Sequence, residues 1–461
     1  MKDNNLFDAL ENIDPDLIEA ADEPYKKDWK PFGTRTIAAI LVIALSLSIF
    51  KLLDPCVARP YSPVMLSYAD WRTNPNGAKL WKQSVDQIHN QPDGFSNNLQ
   101  PFFTKSMQTF LSSEQNANTV YSPVNLYMAL TMLAECADGN TRQQIMTLLN
   151  TDSIDKLRTQ ADQVWNSLYW DDGRTTSVLA NSLWIDSNLP YNPITATRLA
   201  GTYHASVYHG NLSSDKMNKQ VTKWLNKQTN DLLTEQTDGQ GFSPETVLAL
   251  ISTILFQAKW EDEFDPASTR NGIFYSPNGE RTVPYMYKGD LYDYYWQGSN
   301  FGMMRLSLSE GTGFHMWFVL PSEGTNVQDV IQEGTCFQIA QNPKNTDAAK
   351  RSSIYLKVPK FDITSKIDIE DGLKNLGITD AFGSEADFSA ISSKNLFVSK
   401  AEQACRVAID EYGVTGASYT KFELLVGGGT KPIEFYLTRP FLFLITSEDG
   451  IPLFAGVVNE P

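Results

Sequence analysis

Helical spacing and strand-like runs mix along the 461-residue chain without a strand–helix–strand rhythm, which predicts an α+β fold rather than a doubly wound α/β one. Two further observations agree. Residues 435–445 and 453–457 are apolar runs that close the chain as strands. No internal repeat is present.

The elements follow in chain order. Residues 1–35 are acidic and thin in apolar content. Residues 8–21 have roughly helical spacing, but a disordered cytosolic tail is preferred to a short helix there. Residues 36–50 carry no charge; Lys51 interrupts and can snorkel, and Leu52 and Leu53 follow. The span 36–53 sits at the short end for a transmembrane helix, which needs about 17–25 residues. A cleavable signal peptide would have a short leading region and an A-x-A site, and neither is present. A core helix would be amphipathic, whereas this run is apolar all round. A single-pass anchor is therefore expected. Lys26, Lys27, Lys30 and Arg35 precede it, and Lys51 and Arg59 follow. That basic excess places the N-terminus in the cytoplasm and the long C-terminal part outside the cell.

Residues 54–98 hold Pro55, Pro60, Pro63, Pro75 and Pro92 and are expected to form a linker poor in regular structure. Asp54-Pro55 before Cys56 is the wrong chemistry for lipidation at a small-residue cleavage site. A globular domain is expected over 99–461. Helical spacing covers 102–111 and 123–135, with Ser122 as cap and Pro123 in the first turn. Gly139-Asn140 should break the second helix. Val221, Trp224, Leu225, Leu232 and Leu233 mark another. Strands are expected over 177–185, 248–256, 303–308, 315–320 and 354–358.

Composition narrows the function. At 42 % apolar residues the chain can bury a substantial core. Its net charge of −16 and lack of a Lys/Arg cluster disfavour nucleic acid. Cys56, Cys136, Cys336 and Cys405 are widely spaced with no C-x-x-C, which disfavours a zinc or redox site. Cys136 and Cys405 lie in apolar runs and read as buried free thiols. Size and spacing exclude a small disulfide-framed domain. His89, His204, His209 and His315 show no H-E-x-x-H spacing and read as surface or packing residues. There is no G-x-S-x-G elbow and no Walker loop. Gly311-Thr312-Gly313 resembles a turn between two strands. The adjacent acids Asp262-Glu263 and Asp410-Glu411 read as solvated edges. No catalytic residue, metal or cofactor is assigned, and an enzyme is not expected.

Residues 409–426 are the most informative stretch. Read at period 2, one face carries Val414, Gly416, Ser418, Thr420, Phe422, Leu424 and Val426, small first and then apolar. The other carries Gly413, Thr415, Ala417, Tyr419, Lys421 and Glu423, which solvent tolerates. Two readings stand: an ordinary strand leading into Gly427-Gly428-Gly429, or a segment that is an exposed loop in one state and an inserted strand in another.

Several blocks of the chain resemble the serpin family of serine protease inhibitors, over about 99–461. Val120-Tyr121-Ser122-Pro123-Val124-Asn125-Leu126 resembles the family's early helix, continued by Ala137-Asp138-Gly139-Asn140-Thr141. Ala180-Asn181-Ser182-Leu183-Trp184, Trp260 with Phe264, Val283-Pro284-Tyr285-Met286, Val358-Pro359-Lys360-Phe361 and Ala386-Asp387-Phe388-Ser389 follow in family order. Glu411-Tyr412-Gly413 is similar to the hinge, and Arg439-Pro440-Phe441-Leu442-Phe443 to the closing signature.

The resemblance implies three β-sheets, eight or nine α-helices and an exposed reactive loop over about 411–432. It also implies suicide inhibition: a protease acylates itself on the loop, and the freed segment inserts into the main sheet and distorts the enzyme. The implied hinge residues are Glu411, Gly413, Val414, Gly416, Ser418 and Thr420. The implied sheet-opening cluster is Ser122, Ser252 and Gln403. Departures from the family pattern are Gln403-Ala404 for His-Lys, Ser252 for Asn, Thr438 for Asp or Asn, and a hinge poorer in alanine. Gln403 is expected still to hydrogen-bond across the sheet centre. Counting from Gly413 puts the scissile bond at Gly427-Gly428; counting back from Pro440 puts it nearer Gly429-Thr430. Leu425, Val426 and the glycines are uncharged, which disfavours a trypsin-like target and favours an elastase-like or subtilisin-like one. The expectation is a monomeric inhibitor of extracellular serine proteases tethered to a cell surface, in all expectation a bacterium's. The rival is a non-inhibitory serpin-fold binding or structural protein. An exported hydrolase is a weaker third.

Overall fold

The computed structural model describes residues 56–60, 63, 65, 67, 76–112, 116–237, 241–344, 349–414 and 432–461. Among them no helix is long and apolar enough to cross a membrane; the expected anchor 36–53 lies outside the described residues.

The stretch expected to be an unstructured linker contributes two elements, strand β1 (Cys56–Ala58) and helix α1 (Gly77–His89). The reason is local. No proline falls between Pro75 and Pro92, and Trp81, Val85 and Ile88 share one face at helical spacing and pack on the core. Helix α2 (Gln100–Leu111), strand β2 (Thr119–Tyr121) and helix α3 (Pro123–Cys136) come next. Ser122 caps α3, accepting from the Asn125 N–H, and Pro123 sits where no N–H is needed. Gly139-Asn140 does not break α3 but opens α4 (Gly139–Leu148), because Ala137 turns extended and Asp138 caps Gly139. Helix α5 (Ile154–Leu168), strands β3 (Trp170–Asp171) and β4 (Thr176–Asp186), helix α6 (Pro193–Thr202) and strand β5 (Ala205–Gly210) follow. Helix α7 (Asp215–Gln228) stops before Leu232 and Leu233, since Asn230 and Asp231 adopt positive φ. Helix α8 (Thr234–Thr237) and strand β6 (Leu248–Lys259) complete this half.

The second half holds β7 (Arg270–Ser276), β8 (Gly279–Gln297), β9 (Phe301–Leu308) and β10 (Phe314–Pro321). Helices α9 (Val327–Glu333) and α10 (Thr335–Gln341), strands β11 (Ala349–Pro359) and β12 (Phe361–Asp368) and helix α11 (Glu370–Asn375) follow. Then come β13 (Glu402–Asp410), β14 (Gly413–Val414), β15 (Ile433–Tyr436), β16 (Phe441–Thr446) and β17 (Pro452–Val458). The run expected as one strand over 435–445 is two, because Pro440 lacks the N–H a ladder requires.

Among the described residues the strands form two hydrogen-bonded sheets. The main sheet runs β1-β5-β4-β6-β14-β13-β12, with β3 on β4. The second runs β15-β11-β8-β9-β10-β16-β17-β2, with β7 on β8. The resemblance implied three sheets; here the 19-residue β8 pairs with β7, β11 and β9 and makes two of them continuous. Helix α3 packs against both β6 of the main sheet and β17 of the second, with nearly every side chain buried.

At the far end of α3, Glu135 is 1 % exposed. Arg158 of α5 grips it with two hydrogen bonds of 2.8 Å, Arg198 of α6 adds a third at 2.8 Å, and the Tyr203 hydroxyl donates at 3.0 Å. Burial pushes the Glu135 pKa up; the donors overcome this and hold it below the usual carboxylate range. Removing one partner of such a pair strands the others. Glu135→Ala should lower stability by about 3 kcal/mol, read as a shift of the urea midpoint.

Candidate functional site

Strand β13 leads into the hinge. After Asp410 the chain turns, with Asp410 Oδ1 accepting the N–H groups of Tyr412 at 2.8 Å and Gly413 at 3.2 Å. Strand β14 then lies between β6 and β13: Gly413 sits opposite Lys259 and Asp410, and Val414 opposite Ala258 and Ile409. The approach leaves room only for glycine at the first position. Gly413 has φ +153°, and a Cβ there would fall 2.3 Å from the Ala258 carbonyl oxygen and 2.6 Å from Lys259 Cα. Val414 is 3 % exposed; the other residues of the face expected to turn inward lie outside the described residues.

Glu411 fixes the turn and is no solvated edge. It is 6 % exposed, ion-paired with Lys360 Nζ at 2.7 Å, and accepts from the Thr269 hydroxyl at 2.7 Å. Its carbonyl accepts the Phe264 N–H at 2.9 Å, and the Tyr412 carbonyl accepts that of Trp260 at 3.1 Å. The Trp260 indole donates to the Asp410 carbonyl at 2.8 Å. Burial pushes the Glu411 pKa up, and the hydrogen bonds from Lys360 and Thr269 outweigh it, leaving the carboxyl below its ordinary range. Lys360 lay within a motif noted in the sequence; nothing there pointed to Thr269.

Both β6 and β13 pair with β14, and among the described residues neither pairs with the other. Two strands flanking a third stand two ladder spacings apart, about 9–10 Å. In line with Val414, a small cavity is lined by Phe256 of β6, Val407 and Ala408 of β13, and Ile445 and Phe454 beneath. At this end of the sheet the two residues of β14 stand between β6 and β13.

Ser122, Ser252 and Gln403, the expected sheet-opening cluster, lie around the start of α3, linked by a route the sequence did not give. Gln403 does not reach across the sheet centre. Its Oε1 accepts the Ser122 N–H at 2.8 Å and its Nε2 donates to the Ser122 carbonyl at 3.0 Å. The Ser122 hydroxyl donates to the Leu453 carbonyl at 2.6 Å. Asn125, which sequence reasoning passed over, supplies the link to β6 by donating to the Ser252 carbonyl at 3.1 Å. The Ser252 hydroxyl and Asn125 Oδ1 are buried without a partner. This polar joint between β6 and α3 is thus only partly satisfied.

Gly416, Ser418, Thr420, Leu425, Val426, Gly427 and Gly428 lie outside the described residues. Val414, the last residue described before them, lies in the main sheet, and the chain is next described in the second, where β15 pairs parallel with β11, Ile433 opposite Ile354. The histidines are packing residues: His89 stacks on Trp170 and His204 on Trp165, while burial and the nearby Arg305 charge push the pKa of His315 down to about 3.

Comparison with known proteins accords with this geometry. The family model for serpins (serine protease inhibitors) matches residues 97–461, and the chain belongs to that family. Serpin-Z1C of Triticum aestivum is 29 % identical over 383 residues, covering 78 % of this chain and 94 % of its own. Serpin B6 of Pongo abelii is 27 % identical over 371 residues, covering 78 % and 97 %. Among solved structures, the thermophilic serpin tengpin in its native state aligns with a TM-score of 0.70 at 24 % identity, covering 88 % of this chain and 97 % of its own. Human thyroxine-binding globulin in complex with thyroxine aligns with a TM-score of 0.69 at 22 % identity, covering 81 % and 99 %. Serpins are generally protease inhibitors rather than catalysts.

Two outcomes follow. Gly413→Ala should expel β14 and destabilise the native state by about 1–3 kcal/mol, read by chemical denaturation. Because the folded Glu411 pKa is depressed, its contribution is present above the ordinary carboxylate range and lost as pH falls through the folded value. The melting temperature should therefore fall more on acidification in the native protein than in Glu411→Gln, which has no group to titrate there.

Proposed function

We propose that this chain traps extracellular serine proteases by inserting its cleaved loop into the main sheet. The observation that carries the reading is the placement of Gly413 and Val414 as a two-residue strand between β6 and β13. A hinge already seated between β6 and β13 supplies register for everything that follows it. Val414, Gly416, Ser418 and Thr420 continue one small-sided face, which a sheet can admit at low steric cost. Insertion then adds ladder hydrogen bonds and buries apolar surface, so the inserted form lies lower in free energy than the intact one. That difference drives displacement of the acylated protease.

The uncharged run Leu425-Val426-Gly427-Gly428 favours an elastase-like or subtilisin-like target, with the scissile bond at or beside Gly427-Gly428. Residues 36–53 would tether the inhibitor, with its large domain outside the cell. The bacterial source inferred from that layout draws no support from the plant and animal relatives. A second reading, a serpin-fold binding protein whose loop stays out, is favoured by the likeness to thyroxine-binding globulin in complex with thyroxine. The bulk of Tyr419 in the hinge points the same way.

Incubation with pancreatic elastase and with subtilisin separates the two. Trapping gives an SDS-resistant complex and raises the melting temperature of loop-cleaved protein; plain cleavage at every enzyme ratio with no rise supports the binding protein. Val414 is buried between two strands, so Val414→Arg should turn the inhibitor into a substrate. An undiminished yield of complex from that variant refutes the proposal.

A further inference from the structure

Helix α1 precedes the family-matched segment, yet it is docked on the body of the protein. At its end His89 stacks on Trp170 of β3 with ring centres 4.9 Å apart, and its Nε2 lies 2.6 Å from the Tyr169 carbonyl oxygen. One turn from its start, Trp81 meets the same Trp170 at 6.0 Å. Trp81 also rests against the turn between β9 and β10: a Cβ on Gly311 would fall 3.1 Å from its indole. The helix therefore touches both sheets at once, the main sheet through Trp170 and the second through Gly311.

From Trp170 the contacts run on to the hinge. Trp170, 2 % exposed, meets Phe314 of β10 edge to face at 6.4 Å, and Phe314 meets Phe256 of β6 likewise at 5.2 Å. Phe256 lines the cavity under Val414. Ladder register places all of these at one end of the sheet: Trp170 is opposite Ser177, Ser177 opposite Phe256, and Ala258, two residues on, opposite Val414. Phe256 lines the cavity that a strand entering after Val414 passes, and its ring is in contact with Phe314, whose position is shared with Trp170 and, through it, with α1. Rings in close contact move together or lose their contacts.

We propose that helix α1 is a strap that ties the hinge end of the main sheet to the β9–β10 turn, and so sets how fast the loop inserts. The proposal rests on the trapping reading above. Trp81 is then a positioning residue, far from the loop yet governing its entry.

The test uses the full chain with its loop intact, held in detergent micelles at elevated temperature. Spontaneous insertion is followed as loss of loop cleavage by pancreatic elastase. Trp81→Ala should insert about tenfold faster than the native protein, since a contact present before insertion and broken on the way is removed. Trp81→Phe, which keeps a ring, should insert at close to the native rate. Ile339→Ala in α10, off the aromatic chain, is the control for general weakening. An unchanged rate in Trp81→Ala overturns the proposal, as does equal acceleration in Ile339→Ala. Cleaving the native loop separates the two claims. No rise in melting temperature sinks the trapping reading and the strap with it. A rise, together with insertion of Trp81→Ala at the native rate, sinks the strap alone.

Discussion

The fold turns on one close approach. At Gly413 the backbone passes so near Ala258 and Lys259 that no side chain fits, and Gly413 and Val414 lie there as a strand paired to both β6 and β13. Everything around serves to keep that strand in place. Asp410 closes the turn before it, and Glu411 pins the turn to Lys360 and Thr269. Trp260 and Phe264 take up the carbonyls of Tyr412 and Glu411. Gly413 would be an unremarked turn residue in an ordinary sheet. Here its lack of a side chain is the condition for β14 to exist at all.

Helix α3 gives β6 and β13 a floor. Ser122 at its start is bonded on three sides, to Gln403, to Leu453 and to Asn125. Glu135 at its end gathers Arg158, Arg198 and Tyr203. Between these polar ends the helix is apolar all round and sits between both sheets, as a helix without a wet face must. The two strands meet the floor differently. Strand β13 is joined to it through the paired hydrogen bonds of Gln403, whereas β6 packs along the helix and receives one hydrogen bond from Asn125, with the Ser252 hydroxyl unpaired beside it.

Much of this was legible in the sequence because local chemistry and fold agreed. Ser122-Pro123 starts a helix whatever surrounds it, and the apolar runs over 177–185, 248–256 and 453–457 are strands of buried sheets. Val414 is buried as expected, but Gly413, which period 2 put on the opposite face, is buried too, because both lie between two strands. The failures have physical causes. Strand β8 mixes Pro284, Lys288 and Gly289 with tyrosines, and its order comes from partners on both sides rather than from its own pattern. Five prolines hid α1, although Trp81, Val85 and Ile88 recur at helical spacing. The acidic pair at Asp410-Glu411 looked solvated because its partner Lys360 lies 51 residues away. Gln403 reaches down to α3 rather than across the sheet, a choice that depends on where the helix starts beneath it.

The residues on either side of 415–431 belong to different lattices. Val414 is laced into the main sheet, while residues from Ile433 onward form β15, β16 and β17 of the second, the last two buried throughout. Cutting the covalent chain between them therefore does not divide the particle. The final tail stays knitted into its own sheet by the ladders to β11, β10 and β2, free of any duty to the upstream arm. A cut there would free one side only, because the downstream residues keep their ladders whatever becomes of the upstream ones.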